Sequence, residues 1–216
     1  SLYKALSKYE SKYANILYLQ NRGFDIYAFL KILTRVQDDD SIIAKIHTKP
    51  NQVIVGSNWR DECLRSLFHS DCYVNDVLRL FKENSDLFML GSSILFKNTA
   101  KFMYGNDQNF TKVLGKMNSG SNRVYCKSIG FFAGSMFWAK KETFNSILNI
   151  MPEIEAMSLT ENNNSNPSLW HAIERIFGAL PAVQNKKTFT VSFVSNNHYS
   201  ICSTPNPSVI PLTQSF

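Results

Sequence analysis

Two lysines and a histidine occupy alternate positions between residues 45 and 49. Successive side chains of a β-strand point to opposite faces, so Lys45, His47 and Lys49 are predicted to share one face. Three nitrogen-bearing side chains on one face would form an anion site, and a diphosphate is the obvious ligand because lysines neutralise charge that a metal ion would otherwise neutralise. The alternative is a solvated basic strand end with a hydrogen-bonded histidine.

A second polar strand end lies upstream, where Asn21, Arg22, Gly23 and Asp25 follow the apolar run Asn15–Gln20. Ligands of open α/β sheets bind outside the carboxyl ends of the strands. The two polar strand ends are therefore predicted to contribute to one site.

A third stretch places small residues beside two aromatic rings: Gly134, Ser135, Phe137 and Trp138. A flat apolar ring next to closely approaching backbone suits stacking on a sugar or a base. The alternative is a core strand whose glycines allow a helix to pack closely.

Three polar residues share one face of the last predicted helix, because His171, Glu174 and Arg175 are spaced i, i+3 and i+4. A carboxylate held by Arg175 could orient His171 towards a substrate, and the alternative is a buried ion pair that joins this helix to the sheet. Upstream, Glu155 and Glu161 lie in or beside a predicted loop, where either could act as a general base on an acceptor hydroxyl.

The elements that would position these residues begin with a helix near residues 2–13 and a strand at Asn15–Gln20. Asp25 is predicted to cap the next helix, which leads to a strand at Ile42–Ile46. Strand, helix, strand is a βαβ unit, which predicts parallel strands with a right-handed crossover.

The remaining pattern predicts helices and strands in alternation. The predicted helices are Asn58–Phe68, Asp71–Lys82, Glu142–Ile150 (stopped by Pro152) and Ser168–Leu180 (capped by Asn166, with Pro167 first and Pro181 as its end). The predicted strands are Leu87–Leu90, Ile129–Trp138 and an edge strand at Thr188–Ser195. Loops with a short helix are expected over 98–122, a flexible loop over Ser158–Pro167 and no regular structure from Ser203.

Composition indicates a single packed domain, since 44% of the 216 residues are hydrophobic and 13% are aromatic. The formal net charge of +6 suits an acidic partner. Nucleic acid is not favoured, because no basic run is interleaved with aromatic residues. No run of about 18 apolar residues predicts a membrane span, and four scattered cysteines favour a reducing compartment, so a cytoplasmic location is expected.

Four motifs in order resemble the rhamnan synthesis F family of bacterial polysaccharide glycosyltransferases over about residues 15–180. They are Asn-Arg-Gly-Phe-Asp-Ile-Tyr-Ala-Phe-Leu (21–30), Lys-Ile-His-Thr-Lys (45–49), Gly-Ser-Met-Phe-Trp-Ala (134–139) and His-Ala-Ile-Glu-Arg-Ile-Phe-Gly (171–178).

The resemblance implies a GT-A-like (Rossmann-like) α/β domain over residues 1–202 with an irregular tail over 203–216 and a mixed, mainly parallel sheet flanked by helices. It implies a hexosyltransferase that takes a nucleotide diphosphate sugar and needs no cofactor or divalent metal. Its acceptor would be a lipid-linked or growing cell-surface glycan, and it could contact the inner membrane peripherally or other glycosyltransferase domains.

The resemblance also implies roles for the residues already named. The donor would be bound by Asn21, Arg22, Gly23, Asp25, Lys45, His47 and Lys49. The sugar and acceptor platform would comprise Gly134, Ser135, Phe137, Trp138, Glu174 and Arg175, and the catalytic groups would be Glu155, Glu161 and His171.

Two departures from the family pattern keep a second function open. Family members commonly carry Asp-Gly just before the last helix, where this chain has Asn166-Pro167. The first nucleotide-binding strand of a GT-A fold is also not evident ahead of the helix predicted near residues 2–13. The alternative is therefore a non-catalytic glycan-binding or scaffolding module of a polysaccharide assembly complex.

Overall fold

A five-stranded sheet lies between two layers of helices in the computed structural model, which describes residues 17–20, 22–47, 53–54, 57–117, 129–159, 167–195 and 198–204. The strands are β1 (Ile42–Lys45), β2 (Val53–Ile54), β3 (Ser57–Asn58), β4 (Leu87–Ser92), β5 (Phe96–Asn98), β6 (Gly130–Phe132), β7 (Phe137–Lys140), β8 (Lys187–Ser195) and β9 (His198–Ser203). The helices are α1 (Phe24–Leu33), α2 (Trp59–Phe68), α3 (Asp71–Glu83), α4 (Asp107–Met117), α5 (Asn145–Leu148), α6 (Met151–Leu159) and α7 (Leu169–Val183), with a 3-10 turn at Lys141–Phe144.

The central sheet has the order β1-β7-β4-β8-β9. β7 runs antiparallel to both of its neighbours, β1 and β4, whereas β4 and β8 are parallel and β9 returns antiparallel to β8. The carboxyl ends of β1, β4 and β8 therefore lie at the same end of the sheet as the start of β7.

Alternation along the strands decides which helix layer each side chain meets. In β7, Phe137 and Ala139 pack into one hydrophobic cluster with residues of α1 and α7, and Trp138 packs into the other with residues of α2 and α3. Met89 and Leu90 of β4 divide between the two clusters in the same way. Helices cover both faces of the sheet, which explains the near-continuous apolar composition of β4 and β7.

The predicted βαβ unit is wrong. Residues 17–20 form no strand, and Asn15 and Ile16 lie outside the described residues. β1 pairs antiparallel with β7, with Ile42 opposite Lys140 and Lys45 opposite Phe137. The sheet is mixed, as predicted, but β4–β8 is the one parallel pairing among the described strands, so "mainly parallel" is corrected. Strand partners come from distant parts of the chain, which a local pattern does not reveal.

The predicted aromatic strand Ile129–Trp138 is two strands joined by a tight turn. Gly134 has a φ of 89° and Ser135 a φ of 53°, and consecutive left-handed residues cannot continue a strand. β6, before the turn, pairs with β5 and lies under α7, where a Cβ on Gly178 would meet the carbonyl oxygen of Gly130 at 2.2 Å.

Two predictions about helix ends are wrong and one is incomplete. The helix predicted over Glu142–Ile150 does end before Pro152, at Leu148, but Pro152 also lies in the first turn of a further helix, α6, where a missing N–H is tolerated. Pro181 lies inside α7, which continues to Val183. Ser168 caps α7 by accepting a hydrogen bond from the His171 amide, whereas Asn166 lies outside the described residues.

The remaining predictions divide between confirmed and corrected elements. α2, α3 and β4 are confirmed to within a few residues. β8 is not an edge strand, because β9 covers its outer side, and β9 itself ends at Ser203. No helix in the described part of the chain is long and apolar enough to cross a membrane.

Candidate functional site

The four motif segments meet at the end of the sheet where β1 ends and β7 begins. The first contributes the turn before α1, the second the end of β1, the third the turn before β7 and the fourth the first half of α7. Contacts between their side chains and backbone define the candidate site.

Asp25 and Lys45 form the innermost contact of the site. The Lys45 ammonium donates to Oδ2 of Asp25, and the lysine side chain is 3% exposed whereas the aspartate is 25% exposed. Asp25 makes no helix-capping hydrogen bond, so its predicted role as a cap is wrong; Gly23 occupies the cap position. The charge of Lys45 is therefore balanced by a carboxylate, as burial of an ammonium group requires.

His47 contacts the same carboxylate from the other side. Its Nε2 lies 3.7 Å from Asp25 Oδ2 and 2.6 Å from the carbonyl oxygen of Gly134. A carbonyl oxygen only accepts, so Nε2 carries the proton in this contact. Lys45 and His47 thus both face Asp25, although β1 ends at Lys45 and His47 lies beyond it, and Lys49 and Asn21 lie outside the described residues.

The Gly134–Ser135 turn is held from both sides. The Gly134 amide donates to Glu174 Oε1 at 2.8 Å, the Ser135 hydroxyl donates to the same oxygen at 3.3 Å, and the Gly134 carbonyl accepts from His47. The backbone of one residue, Gly134, therefore connects the end of β1 to α7. Because the turn has left-handed backbone at two positions, these hydrogen bonds help to maintain a backbone conformation that is rare for a serine.

Glu174 pairs with Arg175 at 2.9 Å rather than orienting His171. Arg175 also donates to the backbone carbonyls of Phe102 and His171, at 3.1 Å and 2.6 Å. Burial lowers the pKa of Arg175, and the charge of Glu174 opposes that shift. The structure thus shows the ion-pair arrangement that the sequence left open as an alternative. His171 Nδ1 instead lies 2.8 Å from the Ser168 hydroxyl.

Phe137 and Trp138 are core residues, so their predicted role as a sugar platform is corrected. They are 1% and 6% exposed. Phe137 packs edge-on against Phe29, and the Trp138 indole N–H donates to the carbonyl of Leu67 at 3.1 Å. Neither ring offers a face on which a sugar could stack, because helices cover both faces of β7.

Glu155 lies on α6, not in a loop, and contacts a group of donors on and before α1. Its Oε1 is 3.1 Å from Lys31 Nζ, 3.3 Å from the Tyr27 hydroxyl and 3.7 Å from Arg22 Nη2. The Arg22 guanidinium also lies 4.3 Å from the centre of the Tyr27 ring. Glu161, the other predicted base, lies outside the described residues.

Phe24 is a site residue that was not singled out from the sequence. Its ring centre lies 5.2 Å from that of His171. Glu174, one helical turn after His171, bonds Gly134, and Gly134 bonds His47, which lies against Asp25. The one sequence signal for Phe24 is its place between Gly23 and Asp25 in the first motif.

A resident metal ion finds no ready set of ligands among the described side chains. Nowhere in that part of the chain do three His, Cys, Asp or Glu residues cluster in a way that could hold one. The chemistry that the site offers is therefore that of cationic and amide donors beside partly exposed carboxylates.

Comparison with known proteins identifies relatives of this chain. A family model described as rhamnan synthesis protein F matches residues 1–186. Two curated proteins from different strains of Xanthomonas campestris pv. campestris, each named "Uncharacterized protein WxcX", are 26% identical over 174 residues, which are 80% of this chain and 24% of the relative. The chain thus spans about a quarter of the length of these relatives. No solved structure matches significantly.

Proposed function

Because the chain belongs to the rhamnan synthesis protein F family, we propose that it is a glycosyltransferase of polysaccharide synthesis. The reaction moves a hexose from a nucleotide diphosphate sugar to a growing or lipid-linked glycan. Convergence of four distant motifs at one end of the sheet is the observation that carries this proposal. Ligands of α/β sheets bind outside the carboxyl ends of the strands, and β1 has its carboxyl end here.

In this proposal the donor diphosphate binds beside His47 and Arg22. The Nε of Arg22 is buried and has no hydrogen-bond partner within the described residues. A phosphate oxygen would accept the hydrogen bond that this N–H can donate. Lys45 takes a different role from the one predicted: it holds Asp25, and Asp25 in turn lies against His47. Protein cations, with Lys49 among them, stabilise the leaving diphosphate without a divalent metal.

The acceptor hydroxyl needs a base, and Glu155 is the proposed one. Its side chain is 33% exposed, and it contacts Arg22, which belongs to the donor side. His171 remains a candidate for contact with the sugar because it lies beside Phe24.

Titration calorimetry with UDP, dTDP, GDP and the corresponding nucleotide sugars, each with and without EDTA, tests this function. We expect at least one nucleotide to bind, with the same affinity in EDTA, and its sugar to be released or transferred. Failure of every nucleotide to bind the folded protein would exclude a donor site.

A second candidate function, a non-catalytic glycan-binding module, is favoured by one observation. The three carboxylates of the site are each paired with a cation: Asp25 with Lys45, Glu155 with Lys31 and Glu174 with Arg175. Each of these carboxylates is thus engaged by a cation where a base would need to accept the proton of an acceptor hydroxyl. This candidate predicts saccharide binding without donor turnover. Turnover that is lost in Glu155→Gln while donor affinity is kept would exclude it.

A further inference from the structure

Phe24 is unusually exposed for its position in the fold. Phe24 is 49% exposed, whereas Ile26 and Tyr27, in the same helical turn, are 3% and 7% exposed. A single exposed aromatic residue on a protein surface needs no explanation by itself. Its backbone and its neighbour His171 provide two further observations.

The backbone at Phe24 is strained. Its φ of 51° follows a φ of 65° at Gly23, and a bulky residue rarely adopts left-handed backbone. The turn is enforced by the core, because a Cβ on Gly23 would lie 2.6 Å from the indole ring of the buried Trp170. The strain directs the Phe24 ring away from the core, and strained backbone of this kind clusters at ligand sites.

His171 supports the Phe24 ring from one side. The two ring planes are inclined by 55° at a centroid distance of 5.2 Å. The imidazole is itself oriented by the Ser168 hydroxyl, 2.8 Å from Nδ1. The position of the Phe24 ring is therefore defined by a neighbour whose own rotation is restricted.

Two partly exposed carboxylates belong to the same two motifs as Phe24 and His171. Asp25 follows Phe24 directly and is 25% exposed, and Glu174 lies one turn beyond His171 with 14% of its side chain exposed. A pyranose has a C–H face that an exposed aromatic ring can bind and a rim of hydroxyl donors that carboxylates of the same site can accept. A nucleobase would also stack on the ring but would use fewer of these acceptors.

We propose that Phe24, supported by His171, is the surface on which the sugar ring of the nucleotide sugar stacks. This inference rests on the proposed glycosyltransferase function and gives the sugar a location that the buried Phe137 and Trp138 cannot provide. The diphosphate would then extend from this ring towards His47 and Arg22.

Two variants of Phe24 and one control separate stacking from folding. Phe24→Leu keeps the apolar character and the Cβ but removes the ring face, and Phe24→Tyr restores the ring. Phe68→Leu is the matched control, because Phe68 is 44% exposed on α2, in the other helix layer. Calorimetry is done with UDP-glucose, dTDP-rhamnose and GDP-mannose, each beside its own nucleoside diphosphate.

Phe24→Leu is expected to weaken the bound nucleotide sugar by roughly three- to tenfold, the range of an aromatic stacking contact, and to leave the nucleoside diphosphate unchanged. Phe24→Tyr and Phe68→Leu should bind like the wild type. Equal weakening of sugar and diphosphate would overturn the inference while leaving the proposed function intact. Absence of any nucleotide binding by the wild type would instead overturn the proposed function.

Saturation-transfer NMR on the wild type gives a readout that does not depend on any variant. Irradiation of the aromatic protons should transfer most strongly to the pyranose ring protons, and this transfer should fall in Phe24→Leu. If the base protons receive the transfer and lose it in Phe24→Leu, a base and not a sugar stacks on Phe24, and the inference is wrong.

Discussion

The carbonyl oxygen of Gly134 accepts a hydrogen bond from Nε2 of His47 at 2.6 Å, and this contact joins the end of β1 to the turn before β7. The amide of the same glycine donates to Glu174 on α7. Gly134 thus connects two residues, His47 and Glu174, that lie 87 and 40 positions from it in sequence. A change at any of the three residues should therefore be felt at the other two.

Replacing His47 should weaken binding of a nucleoside diphosphate. In His47→Ala the loss is expected to be about tenfold or more, because a charge-assisted hydrogen bond contributes on the order of 1.5–3 kcal/mol. His47→Gln keeps an N–H donor for Gly134 and should retain part of the affinity. His69→Ala, which changes a histidine packed on Phe193 in the other layer, is the control for calorimetry with UDP. Equal affinity in His47→Ala and wild type would remove His47 from the donor site.

Replacing Glu174 should destabilise the fold. Glu174→Ala leaves the 4% exposed Arg175 without its carboxylate and is expected to lower the free energy of unfolding by about 3 kcal/mol. Glu174→Gln keeps an acceptor for the Gly134 amide and should cost less. The control is Glu142→Ala, whose carboxylate is 3.8 Å from Lys140 and should contribute under about 1 kcal/mol. Urea unfolding measures all three, and similar losses for Glu174→Ala and Glu142→Ala would contradict the prediction.

Two glycine-to-alanine changes should have opposite signs. Gly23→Ala places a Cβ 2.6 Å from Trp170 on a backbone with a φ of 65°, and it should destabilise the protein by about 2 kcal/mol or more. Gly115, in α4, has open space beside it, so Gly115→Ala should stabilise by about 0.5–1 kcal/mol. Thermal unfolding followed by circular dichroism compares the two melting temperatures. A stabilising Gly23→Ala would show that the turn before α1 is not held as described.

Alkaline pH should test the contact between Tyr199 and Asp76. The hydrogen bond to the Asp76 carboxylate, with smaller effects of burial and carboxylate charge, raises the pKa of Tyr199 from 10.0 to about 12. This group's contribution to stability is therefore complete below pH 10 and is lost as the pH rises towards 12.

Tyr199→Phe should accordingly lose less stability than the wild type between pH 10 and pH 11.5 in urea titrations, and be less stable at pH 8. Burial and, less strongly, the charge of Tyr199 also raise the pKa of Tyr73, so part of the difference between the two proteins above pH 10 comes through Tyr73. Tyr104→Phe, at a 59% exposed position, is the control. Parallel pH curves for wild type and Tyr199→Phe would refute the shift.

Helices α2 and α3 illustrate what local sequence predicts. Their apolar spacing and the serine before Asp71 are sufficient, because helical hydrogen bonds and caps involve residues four or fewer positions apart. A proline alone does not show where a helix ends. Pro152 lies in the first turn of α6, where no N–H is needed, and α7 contains Pro181 near its end. Family resemblance, confirmed by the match to the family model, correctly grouped the four motifs.

The sequence by itself determined the α/β class, the helices α2 and α3, and membership of the family. Tertiary structure decided the direction of β1, the pairing of Lys45 with Asp25, the burial of Phe137 and Trp138 and the exposure of Phe24. Each of these depends on a partner more than 15 residues away or on which helix covers a strand face. Spacing along the chain reports which side chains share a face, but only packing determines what that face meets.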